Sequence, residues 1–246
     1  MDNPKLWVYW NSDTTIGYPA IIEVCLESIF KRNPDAILLD DEKVVEMGGE
    51  HILEVTEGRH VTKRADLLRL WLLKEFGGAW LDADHLCFRA HTLLKPLKDP
   101  EVDFVTRWSM AKYTNNAIAS RPHGVVATEA YETAFSLLAT ANSSNRLGYL
   151  IIGPTLITKM GLLYQDKIHV LPGRHYAPVQ KNKAIKLLIS RSNEQHCKPP
   201  HWNRAAVAQH LAHNVVRRVI DWDRDRLLSG NEFLCFLARR ALGVVE

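Results

Sequence analysis

The spacing of apolar positions along the chain switches repeatedly between two patterns. Short apolar runs predict strands at Leu6–Trp10, Ala36–Leu39, Ala79–Leu81, Val102–Thr106 and Ile168–Leu171. Longer segments with apolar residues three and four apart predict helices at Pro19–Lys31, Ala65–Phe76, Val125–Ala141, Asn203–Val216 and Arg224–Leu242. Because strands alternate with helices, the pattern favours an α/β sandwich with a mainly parallel central sheet and a helical C-terminal part.

The helix predicted at Ala65–Phe76 is mostly apolar but carries the charged residues Asp66 and Arg69. It is rich in strong helix formers and apolar on most sides, so we expect it to be buried. Asp66 and Arg69 are three apart and share a face, where they can pair with each other or jointly hold a polar ligand. Gly77 and Gly78 follow at the place where a helix ends in a left-handed cap.

Two aspartates follow the strand that comes after this helix. Asp82 and Asp84 can point the same way from the carboxyl end of that strand, where open α/β sheets place their ligands. Two carboxylates attract Mn²⁺ or Mg²⁺, and a diphosphate can complete the coordination of such an ion. The alternative is a pair that caps the next element. The helix that precedes the aspartates favours the metal site.

The same Asp-x-Asp spacing recurs near the C-terminus, at Asp221 with Asp223 and at Asp223 with Asp225. The charges alternate in sign there, which is typical of a solvated helix start or of a face laced with salt bridges. We therefore predict no metal site at these residues.

The run A-D-L-L-R-x-x-x-L-x-x-x-G-G-x-W-x-D-x-D at residues 65–84 resembles the signature of the DXD-motif sugar transferases. These include the yeast-type mannosyltransferases, the bacterial capsular polysaccharide synthesis proteins and the clostridial glucosylating toxins. Residues 6–44 resemble the opening of the capsular group, and weaker similarities follow at residues 115–118 and 153–158. The resemblance covers most of residues 4–160, with strong motifs only at residues 62–84.

The resemblance implies a GT-A type nucleotide-diphospho-sugar transferase that moves a sugar from a UDP- or GDP-sugar to a glycan or lipid-linked acceptor, with retention. Asp84 would bind Mn²⁺ or Mg²⁺ directly, and Asp82 would contact the metal or the ribose. Asp66 and Arg69 would hold sugar hydroxyls and phosphate, and Arg69 would also stabilise charge on the leaving group. Trp80 stands where the family usually has tyrosine, in the donor-binding run.

Further candidates for donor binding lie outside the signature run. Trp10, with Tyr9 as the near alternative, ends the first strand, where it can stack a nucleotide base or simply fill the core. The resemblance suggests that Asn116 contacts the donor sugar. It also suggests that Gly153 to Thr155 form a phosphate or acceptor loop, because a turn before a helix offers unpaired N–H groups.

Two histidines near the C-terminus are candidates for completing the metal site. His210 and His213 are three apart on a predicted helix, and many GT-A enzymes add a C-terminal histidine to the metal or the diphosphate. The alternative is a surface helix with two solvated histidines. We carry His210 forward as the predicted third ligand.

Composition narrows the picture further. The chain has 246 residues, a net charge of +3 and 46% hydrophobic residues, which fits one GT-A domain. We expect the nucleotide-binding part at about residues 1–110 and an acceptor and helical part at about 111–246. The mild, scattered charge argues against nucleic acid as a partner. With no signal peptide and no apolar run of the ~20 residues that span a bilayer, we expect a cytoplasmic protein.

Three alternatives stay open at this stage. A peripheral membrane contact through residues 217–245 competes with ordinary packing of that segment, which we favour. A phosphatase of the haloacid dehalogenase type also uses Asp-x-Asp after a strand, but usually on the first strand of the chain. A non-catalytic protein that binds a sugar nucleotide would share the same motifs.

Overall fold

The computed structural model describes residues 5–11, 18–109, 112–141, 148, 150–176, 188–189 and 206–244. The chain divides into two compact units. The first, the sheet unit, comprises Met1–Asn11, Ile37–Leu81 and Leu93–Pro172; the second, the C-terminal unit, comprises Ser12–Ala36, Asp82–Thr92 and Gly173–Glu246. Each unit is described separately.

The strands are short and mostly buried. In chain order they are β1 (Leu6–Tyr9), β2 (Ala36–Leu39), β3 (Gly78–Leu81), β4 (His85–Cys87), β5 (Phe104–Ser109), β6 (Lys112–Tyr113), β7 (Ala117–Ser120), β8 (Ile168–Leu171) and β9 (Ala208–His210).

The α-helices fall between these strands and, after β9, follow one another. They are α1 (Ala20–Arg32), α2 (Asp41–Glu46), α3 (Glu50–Val55), α4 (Val61–Glu75), α5 (Val125–Thr140), α6 (Pro154–Leu163), α7 (Ala212–Val219), α8 (Arg224–Ser229) and α9 (Phe233–Leu242). No helix in the described part of the chain is both long enough and apolar enough to cross a membrane.

The sheet unit is built on a seven-stranded sheet with the order β2-β1-β3-β7-β5-β6, in which β8 pairs with the other side of β5. Strand β1 is parallel to β3, and β5 is parallel to β8. Strand β7 runs antiparallel to both β3 and β5, and β6 runs antiparallel to β5. The predicted α/β class with a helical C-terminal part is confirmed, and strands β1, β3 and β5 end at the same edge of the sheet.

Helix α4 lies against this sheet and is buried on most sides, as its apolar residues predict. It ends at two glycines with positive φ angles, +62° at Gly77 and +94° at Gly78. A side chain at Gly78 would overlap the carbonyl oxygen of Lys5, and the indole Nε1 of Trp7 donates to the carbonyl of Gly77 at 2.8 Å. The predicted left-handed cap is therefore confirmed, and only glycine allows the chain to enter β3 so tightly.

In the C-terminal unit, helix α1 packs against β4, which pairs antiparallel with β9, and against α9. The hydroxyl of Ser28 donates to the carbonyl of Cys25 and accepts a hydrogen bond of 2.9 Å from the backbone N–H of Cys87. The side chain of Asn33 accepts one of 2.8 Å from the N–H of His91. These bonds attach the segment that follows the aspartates to α1.

Two predicted helices are wrong in this region. The segment Asn203–Val216 is not one helix, because Ala208–His210 form β9 and α7 begins only at Ala212. Pairing with the buried strand β4 outweighs the local helical pattern. The segment Arg224–Leu242 is broken at Gly230, where a side chain would lie 2.6 Å from a carboxylate oxygen of Glu232.

The C-terminal aspartates have the role that their charge pattern indicated. Asp223 is the N-cap of α8, and its side chain accepts a hydrogen bond of 2.7 Å from the backbone N–H of Arg226. The prediction of a helix start at this repeat of the Asp-x-Asp spacing is confirmed.

Candidate functional site

The C-terminal unit gathers two carboxylates and one imidazole at one point. Asp82 and Asp84 lie in the three-residue connection between β3 and β4, with partly exposed side chains. One ligand atom from each of Asp82, Asp84 and His210 can be chosen so that all three lie within 4.8 Å of one another. Among the Asp, Glu, His and Cys side chains that the structure describes, these three form a group with the spacing of metal ligands.

His210 reaches the aspartates through the strand pair and not, as predicted, from a helix. In the antiparallel pairing of β4 with β9, His210 lies opposite His85. The backbone N–H of Leu211 donates to the carbonyl of Asp84 at 3.0 Å, so the ladder continues to the aspartate itself. As a result, Nε2 of His210 lies 3.3 Å from Oδ1 of Asp84.

The electrostatics of Asp84 suit a cation. Burial raises the pKa of Asp84, but the positive charge available on His210 and then on His85 outweighs this and holds the pKa below its usual value. Asp84 is therefore a carboxylate at neutral pH. Its Oδ1 is buried and accepts no hydrogen bond of normal geometry from the described residues. A buried anionic oxygen, a second carboxylate and an imidazole form a donor set that fits Mn²⁺.

The sheet unit holds a second polar group, formed by Asp66, Arg69 and Asn115. Oδ1 of Asp66 accepts a hydrogen bond of 2.7 Å from Nδ2 of Asn115 and lies 3.3 Å from a guanidinium nitrogen of Arg69. Arg69 also donates to the carbonyl oxygens of Asn115, at 2.7 Å, and of Ala65, at 3.0 Å. Its guanidinium lies 5.0 Å from the ring centroid of Trp80. Asp66 and Arg69, which share a helix face, thus pair with each other, which is one of the two predicted outcomes.

This buried group is closed on one side by Gly153. A side chain at Gly153 would lie 2.9 Å from both Nδ2 of Asn115 and Oδ2 of Asp66. Gly153 is the N-cap of α6 and Pro154 its first residue, so the predicted loop is a helix start. Burial raises the pKa of Asp66, and the opposing effects of Arg69, Asn115 and Lys63 do not cancel the shift. Its predicted role in donor binding stays a prediction.

The other predicted donor residues occupy different settings within the sheet unit. Asn116 is buried, and its Oδ1 accepts hydrogen bonds of 3.2 Å and 3.0 Å from the guanidinium of Arg107. Trp80 is almost completely buried within β3. The roles of both residues in binding a sugar nucleotide stay predictions.

The two aromatic candidates at the end of β1 differ in how they are held. The hydroxyl of Tyr9 donates to Oδ1 of Asp41 at 2.6 Å, and Arg64 forms an ion pair with the same carboxylate. Burial, together with the nearby Asp41, raises the pKa of Tyr9 well above its ordinary value. Trp10 directly follows the strand, is half-buried, and donates its backbone N–H to Leu39 at 3.0 Å. Tyr9 is thus fixed by side-chain bonds, whereas Trp10 is anchored through its backbone.

Sequence reasoning missed the partners of the predicted residues. It gave no role to Asn115, although that residue stands beside Asn116 in a segment that resembles the family. His85 was likewise not among the predicted site residues. The side chain of His213 lies outside the described residues.

A buried helix, a glycine pair and a short strand thus lead into two clustered aspartates within an α/β fold, in the order that the signature run has them. The profile of the capsular polysaccharide synthesis protein family matches residues 1–143, more than half of the chain. The protein belongs to this family. The predicted family is therefore confirmed, and its description is that of capsular polysaccharide synthesis proteins.

Three solved structures are similar to the chain at low sequence identity. The chain is similar to the galactosyltransferase LgtC in complex with donor and acceptor sugar analogs, with a TM-score of 0.47, 14% identity and 95% of each chain covered. The glycosyltransferase GlyE of Streptococcus pneumoniae TIGR4 gives a TM-score of 0.49 at 10% identity over 97% of this chain and 60% of GlyE. The PaToxG glycosyltransferase gives 0.46 at 14% identity, over 65% of this chain and 68% of that one.

The chain spans 60% of the length of GlyE. No curated protein matches the chain in sequence.

Proposed function

We propose that this protein is a metal-dependent glycosyltransferase that moves a sugar from a UDP- or GDP-sugar to a hydroxyl group of a glycan or lipid-linked acceptor. The observation that carries the proposal is the cluster of Asp82, Asp84 and His210, with ligand atoms within 4.8 Å of one another. The family's description as capsular polysaccharide synthesis proteins supports a glycan product.

Asp84 and His210 supply the ligands whose positions are best supported. The lowered pKa of Asp84 keeps its carboxylate charged at neutral pH, and the ladder that joins β4 to β9 holds the imidazole of His210 beside it. Asp82 provides a second carboxylate, to the ion or to the ribose. Since an imidazole ligand suits Mn²⁺ better than Mg²⁺, we propose manganese as the ion.

When bound, the ion neutralises charge on the diphosphate that leaves with the nucleotide. The protein groups then have to hold the diphosphate and expose one face of the anomeric carbon to the acceptor. Retention of configuration is proposed because the resemblance to retaining families implies it. Location in the cytoplasm is kept as a proposal from the sequence.

We further propose that Asp66, Arg69 and Asn116 bind the donor's sugar hydroxyls and phosphate, as the signature run implies. Trp10 is proposed to stack the base in preference to Tyr9, because the hydroxyl of Tyr9 is already bonded to Asp41. Trp80 is proposed to hold Arg69 in place through the cation–π contact between its ring and the guanidinium of Arg69.

The decisive experiment is a panel of UDP-, GDP- and dTDP-sugars tested for thermal stabilisation with Mn²⁺ and with a chelator. A ligand that binds only the native state stabilises it by about 2.7 kcal/mol at a hundred times its Kd. We expect one donor class to raise the melting temperature, and only with Mn²⁺. Equal stabilisation in the chelator, or none by any donor, would refute the proposal.

Released nucleotide, measured in the same samples, separates the remaining alternatives. A glycosyltransferase releases nucleotide by transfer or by slow donor hydrolysis, whereas a non-catalytic protein binds the donor and releases nothing. A phosphatase would instead release phosphate from a generic phosphate ester with no need for a nucleotide sugar. Asp221→Asn, an exposed aspartate in the other Asp-x-Asp repeat, is the matched control and should behave as the wild type.

A further inference from the structure

His85 contacts every member of the proposed metal site. It is the first residue of β4, follows Asp84 directly, and its side chain is completely buried. A buried histidine needs partners for its polar ring atoms, since an unpaired polar group in the interior is destabilising. The partners of His85 lie among the proposed ligands.

The first contact closes the turn that carries the two aspartates. Nδ1 of His85 lies 2.8 Å from the carbonyl oxygen of Asp82. Because a carbonyl can only accept, Nδ1 must carry a hydrogen and donate it. The same nitrogen lies 3.7 Å from Oδ1 of Asp84. One ring atom thus fixes the backbone at the first aspartate and lies beside the carboxylate of the second.

The second contact sets the orientation of His210. The rings of His85 and His210 are stacked, with centroids 4.8 Å apart and an interplanar angle of 27°. Their backbones face each other in the β4–β9 pairing, and Leu211 bonds to the carbonyl of Asp84. With the backbone fixed and one ring face covered, the imidazole of His210 is held with Nε2 toward Asp84.

We propose that His85 is a positioning residue for the metal site. The group with metal-ligand spacing comprises Asp82, Asp84 and His210. In our proposal His85 is not a ligand but holds these three residues in the arrangement that binds the ion. The inference rests on the proposed function and adds to it the residue that organises the ligands. Groups that orient metal ligands affect metal affinity by about 10–100-fold when they are removed.

Two substitutions separate the two contacts. His85→Phe keeps a flat ring against His210 but loses the hydrogen bond to Asp82, whereas His85→Asn keeps a donor near the position of Nδ1 but loses the stacked ring. Binding of Mn²⁺ is measured by calorimetry on the protein without any donor sugar. We expect each variant to bind Mn²⁺ more weakly than the wild type, by about tenfold or more.

Leu86→Ala is the matched control. Leu86 is the next residue of β4, is also completely buried, and points to the opposite face of the strand. This variant should melt at a lower temperature and yet bind Mn²⁺ with an unchanged Kd. A residue that merely fills the core would give the same result as Leu86.

The absorption spectrum of bound Co²⁺ provides a second measurement that does not depend on stability. If the ligands are rearranged, the visible bands of the two His85 variants should differ from those of the wild type, while those of Leu86→Ala should not. Should His85→Phe fail to fold, His85→Asn carries the test, since it introduces no new bulk.

The outcomes distinguish the inference from the proposal on which it rests. If wild-type protein binds no Mn²⁺, or if Asp84→Asn binds it equally well, the metal site itself is refuted. If the wild type binds Mn²⁺, Asp84→Asn does not, and folded His85 variants match the wild type in Kd and Co²⁺ spectrum, only the role of His85 is refuted.

Discussion

Asp66 and Asp84 are both carboxylates beside basic side chains, yet their environments differ in opposite ways. Asp66 accepts a hydrogen bond from Asn115 and pairs with Arg69, and burial raises its pKa. Asp84 lies beside two histidines, has an oxygen with no hydrogen bond of normal geometry, and has a lowered pKa. The difference indicates that burial disfavours the charge of Asp66 although its oxygen is hydrogen-bonded, whereas Asp84 keeps its charge and has an oxygen that can bind an external cation.

Asp84→Asn should have the largest effect, and on activity alone. Removing a metal ligand forfeits several kcal/mol of charge stabilisation, so we expect transfer to fall by about 10³-fold or more. The melting temperature should change far less than turnover, because asparagine has nearly the same size and shape as aspartate. Nucleotide release at saturating donor and Mn²⁺ is the measurement.

The contrast drawn between Asp66 and Asp84 would be wrong if a folded Asp84→Asn protein turned over donor at the wild-type rate. It would also fail if the variant lost activity only because it had unfolded. The melt and the Asp221→Asn control distinguish these cases.

Arg69→Met should have the largest effect on stability. It leaves the carboxylate of Asp66 buried without its cation, which costs about 3–5 kcal/mol. Urea unfolding measures the loss. The double variant Asp66→Asn with Arg69→Met should lose less than Arg69→Met alone, because the stranded charge is gone. A double variant that is less stable by the full sum of the two single losses would show that the pair is not coupled.

A smaller effect should appear in the pH dependence of stability. The pKa of Asp66 in the folded protein lies above its ordinary value of 3.8, so the native state binds more protons than the unfolded state between these two values. Stability from this group is therefore present at low pH and is lost as the pH rises through the folded pKa. Relative to Asp66→Asn, the wild type should gain stability as the pH falls toward about 4.

For Asp84, the free energy of unfolding should depend on pH with the opposite sign. Its folded pKa is lowered, so its contribution is present above the unfolded pKa of 3.8 and is lost as the pH falls through the folded value. Urea titrations of Asp66→Asn, Asp84→Asn and the wild type between about pH 3 and 7 measure both signs. Two variants with the same sign of pH dependence would remove the basis of the comparison.

Local patterns were sufficient to predict one part of the site. The glycine cap, the short strand and the two aspartates follow one another in the chain, and each has a recognisable local signature. Asp66 and Arg69 were found because helix periodicity places them on one face. Their partner Asn115 comes from a distant segment, so no spacing rule could identify it.

His210 shows the limit of such reasoning. It was predicted as a metal ligand, but on a helix, because residues around it repeat with helical spacing. Its actual strand exists through pairing with β4, which lies far away in the sequence. Strand β7 was missed for a related reason, since its alanine-rich sequence has low strand propensity and gains its place from β3 and β5.

The bond from Leu211 to Asp84 has a consequence for how the enzyme is made. A ribosome delivers the two aspartates long before it delivers β9, so the growing chain holds an incomplete set of ligands during much of its synthesis. The proposed manganese site would be complete only after β9 has emerged and paired with β4. The order of translation would thus keep a half-made chain from holding the proposed metal ion tightly.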